Sequence, residues 1–380
     1  MPLSPEADRR SLDDLVSGGL LDAQAAADLG PVAAAYPVTL TATLAAAIDP
    51  MDPVDPIARQ FVPSLAELLA AAEELADPSA DDAFSPLKGI VHRHADRLLL
   101  KPVHVCPVYC RFCFRREMVG PGAKALTAAE LAAALDYIRR HEEVWEVILT
   151  GGDPLMLSPR RLAGLIAALD AIPHVAVIRL HTRVPVAAPE RVSAALIAAL
   201  ATADAALYIA VHCNHARELG DAARAACARL SGAGIPLLGQ SVLLRGVNDD
   251  EASLTALMRA LVKARIKPYY LHQGDLAPGT AHFRTTITEG QALMRHLRAN
   301  ASGLCQPHYV LDIPGGHGKV PIGPAYLAPG PEGGYEVTDL AGNRHAYPPA
   351  PADAATSGAP AVLDDDGRVL RLSPEGSGVR

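Results

Sequence analysis

An α/β fold, specifically a partial TIM-like (β/α)6 barrel, is predicted by three features of the middle of the chain. First, six short apolar runs read as strands: Leu98–Val105, Glu146–Thr150, Val175–Leu180, Ala206–Val211, Leu237–Leu244 and Ile266–Leu271. Helical segments separate them, and that alternation implies a parallel sheet with right-handed crossovers. Second, every run ends in a polar cluster: Cys106 to Cys113, Thr150-Gly151-Gly152-Asp153, His181-Thr182-Arg183, His212-Cys213-Asn214-His215, Gln240 to Arg245, and His272-Gln273-Gly274-Asp275. One cluster could be an ordinary loop, but six in phase argue for a single cavity at the strand C-termini. Third, no dinucleotide glycine fingerprint follows the first run, so the barrel is preferred over a Rossmann sheet.

Residues 1–85 precede this core as a helical region. Ser64 and Glu67 form a capping box, and prolines at 50, 53, 56 and 63 break the region into short pieces. Its pattern gives no sign of catalysis. Within the core, over residues 86–305, Thr127 and Glu130 open one helix as a capping box, and Ser158-Pro159 opens another with proline at the first helical position. Residues 306–380 carry Asp312-Ile-Pro-Gly-Gly-His-Gly-Lys319, then a Pro/Gly/Ala-rich tail with strand-like pieces at 334–337 and 369–372. The tail reads as loosely structured or as an arm on another subunit.

The chain has 380 residues and a net charge of -8, with 4% aromatic residues. That balance argues against nucleic-acid binding by charge or by stacking. No stretch reaches about 18 uninterrupted apolar residues, and the N-terminal residues lack a signal-peptide core, so a cytoplasmic location without membrane contact is expected. Outside the first cluster, Cys213, Cys227 and Cys305 are scattered, unlike a secreted disulfide framework.

Three of the six cysteines, Cys106, Cys110 and Cys113, fall within eight residues at C-x3-C-x2-C spacing. Structural zinc and most iron–sulfur sites want four protein ligands. Three thiols without a near fourth suggest a [4Fe-4S] cluster with one iron open to another molecule; the alternatives are a buried apolar trio or a zinc site completed by a distant histidine. The flanking Arg111, Arg115 and Arg116 fit a pocket better than an apolar core.

The cysteine spacing, with Phe112 before the last thiol, resembles the radical S-adenosylmethionine enzymes. Together with Pro314-Gly-Gly-His-Gly-Lys319, His92-Arg93-His94-Ala95-Asp96-Arg97, Ser241 to Asp249, Tyr269-Tyr270 and Ala281 to Thr285, it resembles the lysine 2,3-aminomutase family over about residues 85–330. The resemblance implies that Cys106, Cys110 and Cys113 hold the cluster. It implies that Gly151, Gly152, Asp153, His212 and Gln240 contact S-adenosylmethionine, and that Lys319 forms the Schiff base with pyridoxal 5'-phosphate while Arg93 and Arg97 hold its phosphate. Arg115 would pair with the substrate carboxylate, and Asp275 and Asp312 with the distal ammonium of L-lysine. A glutamate-specific branch replaces that aspartate pair.

The implied reaction moves the amino group of L-lysine from Cα to Cβ, through a 5'-deoxyadenosyl radical and a pyridoxal aldimine, giving β-lysine. It implies an electron donor such as a flavodoxin or ferredoxin, and a homo-oligomer. Longer members bind zinc through further cysteines; here Asp250 stands after Asp249 and no cysteine follows Cys305, so no zinc is expected. In length the chain approaches a shorter branch that supplies β-lysine for elongation factor P, and an aminomutase acting on another amino acid is the other alternative.

Overall fold

The computed structural model describes residues 8–69, 71–120, 124–348, 362–363 and 369–370. Nine strands form one sheet in chain order: β1 (Ile90–His94), β2 (Arg97–Val103), β3 (Glu146–Gly151), β4 (Val177–Thr182), β5 (Ala206–His212), β6 (Leu237–Val242), β7 (Ile266–His272), β8 (His308–Asp312) and β9 (Lys319–Pro321). Strands β2 to β8 run parallel. β1 and β9 are antiparallel additions at the two ends of the row. The sheet is therefore an open, curled half-barrel.

The six expected runs are β2 to β7. They read clearly because strands covered on both faces are continuous apolar stretches. β2 and β6 stop two residues earlier than expected, at Val103 and Val242. β1, β8 and β9 were not expected as strands. They are short and carry charged residues, and their pairing is set by neighbours rather than by intrinsic preference.

Helices Ala128–Arg140, Pro159–Asp170, Ala194–Leu200, Asp221–Gly232, Glu251–Lys263 and Ile287–Asn300 alternate with the strands. The first carries the expected Thr127/Glu130 capping box, and Ser158 caps the second with Pro159 leading it. Leu162, Ile166 and Leu169 of the second helix recur at helical spacing and pack with Leu149, Leu180 and Ile209 of the sheet, all at most 1% exposed. Burying each such side chain contributes about 1.5–3 kcal/mol.

The N-terminal region consists of short helices, among them Leu12–Ser17, Ala42–Ala45 and Pro56–Phe61, and belongs to the same compact unit as the sheet, Met1–Pro324. Leu15, Leu40, Ile57 and Phe61 share a small core with Val108, in the loop after β2, and Ala187, in the short helix Val184–Ala187 after β4. The expected Ser64/Glu67 capping box is present, on the 3-10 turn Leu65–Leu68. The second unit, Ala325–Arg380, holds the three-stranded sheet Leu327–Pro329, Tyr335–Thr338 and Arg344–Tyr347. Of the strand piece expected at 369–372, Val369–Leu370 pairs with Val362–Leu363 and the rest lies outside the described residues.

Candidate active site

The parallel strands all end on one side, where their loops enclose a cavity of about 690 Å³. Every residue to which the family resemblance gives a site role lines it: Cys106, Cys110, Cys113, Arg93, Arg97, Arg115, Gly151, Gly152, Asp153, His212, Gln240, Asp275, Asp312 and Lys319.

The cysteine loop leaves β2 and is pinned from outside. Tyr109 N–H donates to Thr39 O and Arg111 N–H to Gln60 O, both at 2.9 Å. Of the three flanking arginines only Arg115 faces the cavity. Arg111 and Arg116 point away and are 1% and 2% exposed. Both donate to Glu67, at 2.6 and 2.5 Å. These two guanidiniums anchor the loop, so the expectation that all three arginines mark a pocket holds for one.

Burial pushes the three thiols up, Cys110 to about 12 even with the Arg183 cation 3.6 Å from its Sγ. As free thiols they stay protonated, so a ligand role requires metal to displace the protons. Among the described residues no three His, Cys, Asp or Glu side chains gather around a single ion position. A cluster that gives each thiolate its own iron suits this donor set without such convergence.

Gly151 and Gly152 make a close approach possible. Gly151 has φ +99°, and a Cβ at Gly152 would lie 2.5 Å from Val105 O. The glycines thus press the loop after β3 against the chain entering the cysteine loop. Asp153 turns its carboxylate inward, accepting from Thr182 Oγ1 at 2.7 Å, Arg183 N–H at 2.7 Å and Leu155 N–H at 3.0 Å. It fastens the loops after β3 and β4 together. His212 is kept neutral by burial and by Arg183, whose Nη1 is 3.4 Å from its Nδ1.

One side of the cavity is cationic. Asp81 is 2% exposed and meets Arg115 Nε at 3.1 Å, and Lys101 and Arg93 each at 3.5 Å. Burial opposes its ionisation, but the Arg115 and Lys101 charges outweigh that and hold the carboxyl below its ordinary range. Three cations around one anion leave positive charge to attract an anionic ligand. Arg93 Nε and His181 Nε2 are buried with no hydrogen-bond partner among the described residues, which fits them to a phosphate or carboxylate. Arg97 lies at the rim, paired with Asp96 at 2.7 Å.

The other side is anionic and contains Lys319. Its Nζ contacts Asp312 Oδ2 and lies 3.2 Å from His272 Nδ1 and 5.4 Å from the Tyr270 ring centre. Burial would raise the Asp312 carboxyl, but the hydrogen bond from His272 and the Lys319 charge hold it well below the usual range. Asp275 is pushed up to about 7 by burial and by the charge of Asp312.

The sequence assigns no place in the site to Asp81, Glu67, Arg183, His181 or His272, and shows Glu67 only as half of a capping box. The last three stood inside the expected polar clusters, which was their signal. Asp81 and Glu67 lie in the region read as non-catalytic, and their arginine partners on the cysteine loop, Arg115 for Asp81 and Arg111 for Glu67, are more than thirty residues away in sequence.

Residues 100–258 match the radical SAM superfamily. A curled parallel sheet with a cysteine trio leaving its first parallel strand places the protein among the radical S-adenosylmethionine enzymes. The chain is 42% identical over 280 residues to the L-lysine 2,3-aminomutase of Clostridium subterminale, covering 74% of this chain and 67% of the relative. It is 38% identical over 272 residues to the L-lysine 2,3-aminomutase of Escherichia coli, covering 71% and 79% respectively. Against the glutamate 2,3-aminomutase of Clostridioides difficile it is 38% identical over 280 residues, covering 74% and 66%. The chain belongs to the lysine 2,3-aminomutase family. Among the described residues no helix is long and apolar enough to cross a membrane.

Proposed function

We propose that this enzyme converts L-lysine to β-lysine, using a [4Fe-4S] cluster, S-adenosylmethionine and pyridoxal 5'-phosphate, with electrons from a reduced flavodoxin or ferredoxin. The reading rests above all on the two-sided charge of the cavity, with Arg115 and Arg93 at one side and Asp275 and Asp312 at the other. A dibasic amino acid has that polarity, whereas the side-chain carboxylate of glutamate would meet two aspartates.

Cys106, Cys110 and Cys113 would hold the cluster, leaving one iron for the amino and carboxylate groups of S-adenosylmethionine. Arg93 and Arg97 would hold the pyridoxal phosphate, and Lys319 its aldehyde carbon. When bound, these groups supply a hydrogen-abstracting radical and a π-system across which an amino group can migrate. The chain's own work is alignment. Arg115 draws the substrate carboxylate toward Thr150, 3.4 Å from its Nη1, while Asp275 and Asp312 fix the distal ammonium. Held at both ends, the substrate would be fixed in one orientation, and the apolar walls from Val91, Leu99 and Ile148 would keep water out.

The test is anaerobic reconstitution with iron, sulfide, pyridoxal phosphate, S-adenosylmethionine and a reductant, followed by chromatography of L-lysine and L-glutamate incubations. β-Lysine formed from lysine, with glutamate unchanged, is the expected result. β-Glutamate from glutamate, or both amino acids untouched by a fully loaded enzyme, would overturn the substrate assignment.

The state of Asp275 gives a separate expectation. With its carboxyl near 7, it is mostly protonated at pH 6 and mostly ionised at pH 8. An ammonium beside it favours the ionised form, so lysine binding at pH 6 should expel close to one proton and at pH 8 almost none. Affinity should then weaken as pH falls below 7, by up to about tenfold per unit. Calorimetry in two buffers of unequal ionisation heat reads the proton directly, and a buffer-independent heat at pH 6 would rule the coupling out.

A further inference from the structure

His272, the last residue of β7, has no part in the scheme above, yet it touches the reacting nitrogen. Its Nδ1 is 3.2 Å from Lys319 Nζ and 3.2 Å from Asp312 Oδ2, and its Nε2 is 3.1 Å from the Gln240 amide. The side chain is buried. Lys319 must lose a proton before its amine can attack an aldehyde. Of the two groups touching its Nζ, Asp312 is a poor acceptor, because the same surroundings that hold it ionised make it reluctant to bind a proton.

We infer that His272 is a catalytic residue, which accepts the Lys319 ammonium proton at Nδ1 and returns it when that amine is released. The inference rests on Lys319 being the cofactor lysine. In the transfer one N–H bond of the ammonium breaks, its electron pair stays on Nζ, and the imidazole lone pair takes the proton. The imidazolium so formed faces the Asp312 carboxylate. The freed amine condenses with the aldehyde and the carbonyl oxygen leaves as water.

Gln240 completes the device. With its carbonyl toward an Nε2–H it leaves Nδ1 open to accept, and with its NH2 toward Nε2 it leaves Nδ1–H to donate to Asp312. Rotation about one bond serves both tautomers.

The groups around the ring agree with this role. Asp312 on β8 and Lys319 on β9 are the charges beside it, Gln240 on β6 is neutral, and Tyr270 meets it edge-on at 5.5 Å. His181 on β4 and His212 on β5 are both held neutral by burial and nearby arginines. His272 itself is kept unprotonated by burial and by Lys319. Its Nδ1 lone pair is thus unoccupied beside a proton donor, and the Lys319 charge that opposes its protonation is removed by the transfer itself, while the Asp312 charge that favours the imidazolium stays. Asp275 also feels the Lys319 charge and is the competing acceptor.

The experiment adds pyridoxal phosphate to the purified protein, quenches with borohydride at intervals between pH 6.5 and 9, and measures labelling of Lys319 by peptide mass spectrometry. It compares the wild type with His272→Asn, His272→Gly and Asp275→Asn. The His272→Asn protein should label roughly 10²-fold more slowly near pH 7, with the gap closing as hydroxide takes over at higher pH. Added imidazole should restore the His272→Gly protein. Wild-type labelling in His272→Asn, or slowing equal at every pH with no rescue by imidazole, overturns the inference, as does slowing confined to Asp275→Asn. If Lys319 of the wild type is not labelled at all, the assignment of Lys319 fails instead.

Discussion

A Glu67→Gln protein is expected to lose about 3–5 kcal/mol of stability and much of its capacity to assemble iron. The Glu67 side chain is 0% exposed. Its carboxylate accepts from Arg111 Nε at 2.9 Å, Arg111 Nη2 at 2.6 Å and Arg116 Nη2 at 2.5 Å, and from Ser64 N–H at 2.8 Å. The amide would keep the shape and lose the charge. Two buried guanidiniums would then share no counter-ion, with neutral partners left to them: the new amide oxygen, the carbonyls of Pro37, Pro278, Gly279 and Arg111, and the rings of Tyr36 and Tyr109.

Total stabilities of about 5–15 kcal/mol make such a loss severe. Because Arg111 lies between Cys110 and Cys113, the thiols should lose their placement before the sheet melts. Urea unfolding of the metal-free protein, with iron content after reconstitution, measures both effects. A stability change below about 1 kcal/mol with full iron loading would show that the triad is dispensable.

Asp275→Asn should lower kcat/KM for lysine by roughly 10²-fold or more, the cost of leaving a buried ammonium with one carboxylate partner of two. The same change should abolish proton release on binding at pH 6, since the titrating group is gone. Asp312→Asn should be worse, because Asp312 also holds Lys319 and His272. An uncharged lysine isostere supplies the control, its kcat/KM falling much less in the Asp275 variant. Equal losses for both substrates would mean that Asp275 supports the fold rather than reading the distal ammonium.

The core strands were legible because burial on both faces leaves apolar runs such as Val147-Ile148-Leu149 with nothing polar to interrupt them. The cysteine trio was legible for the opposite reason, since its chemistry lies in local spacing. What stayed hidden depends on distant pairing. Glu67 was seen as half of a capping box, which it is, but its second task with Arg111 and Arg116 leaves no local trace. Asp81 sits in a turn region, and nothing nearby tells that Arg93, Lys101 and Arg115 converge on it. Asp153 is expected from the resemblance as a cofactor contact, and it also accepts hydrogen bonds from Thr182 at the end of β4 and from Arg183 just after it, a burden invisible until β3 and β4 are placed side by side.

Arg93 and Lys319 stand on the first and last strands of the sheet, at opposite ends of the row, yet both face one cavity. No contiguous stretch of chain can build that pair; it exists only once every intervening strand has docked and the sheet has curled. Closing so long a loop is slow, which makes this corner of the cavity among the last parts to mature as the chain folds. A small molecule gripped by both residues would act as a clasp between the sheet's two edges, and its capture would report that the whole half-barrel is complete.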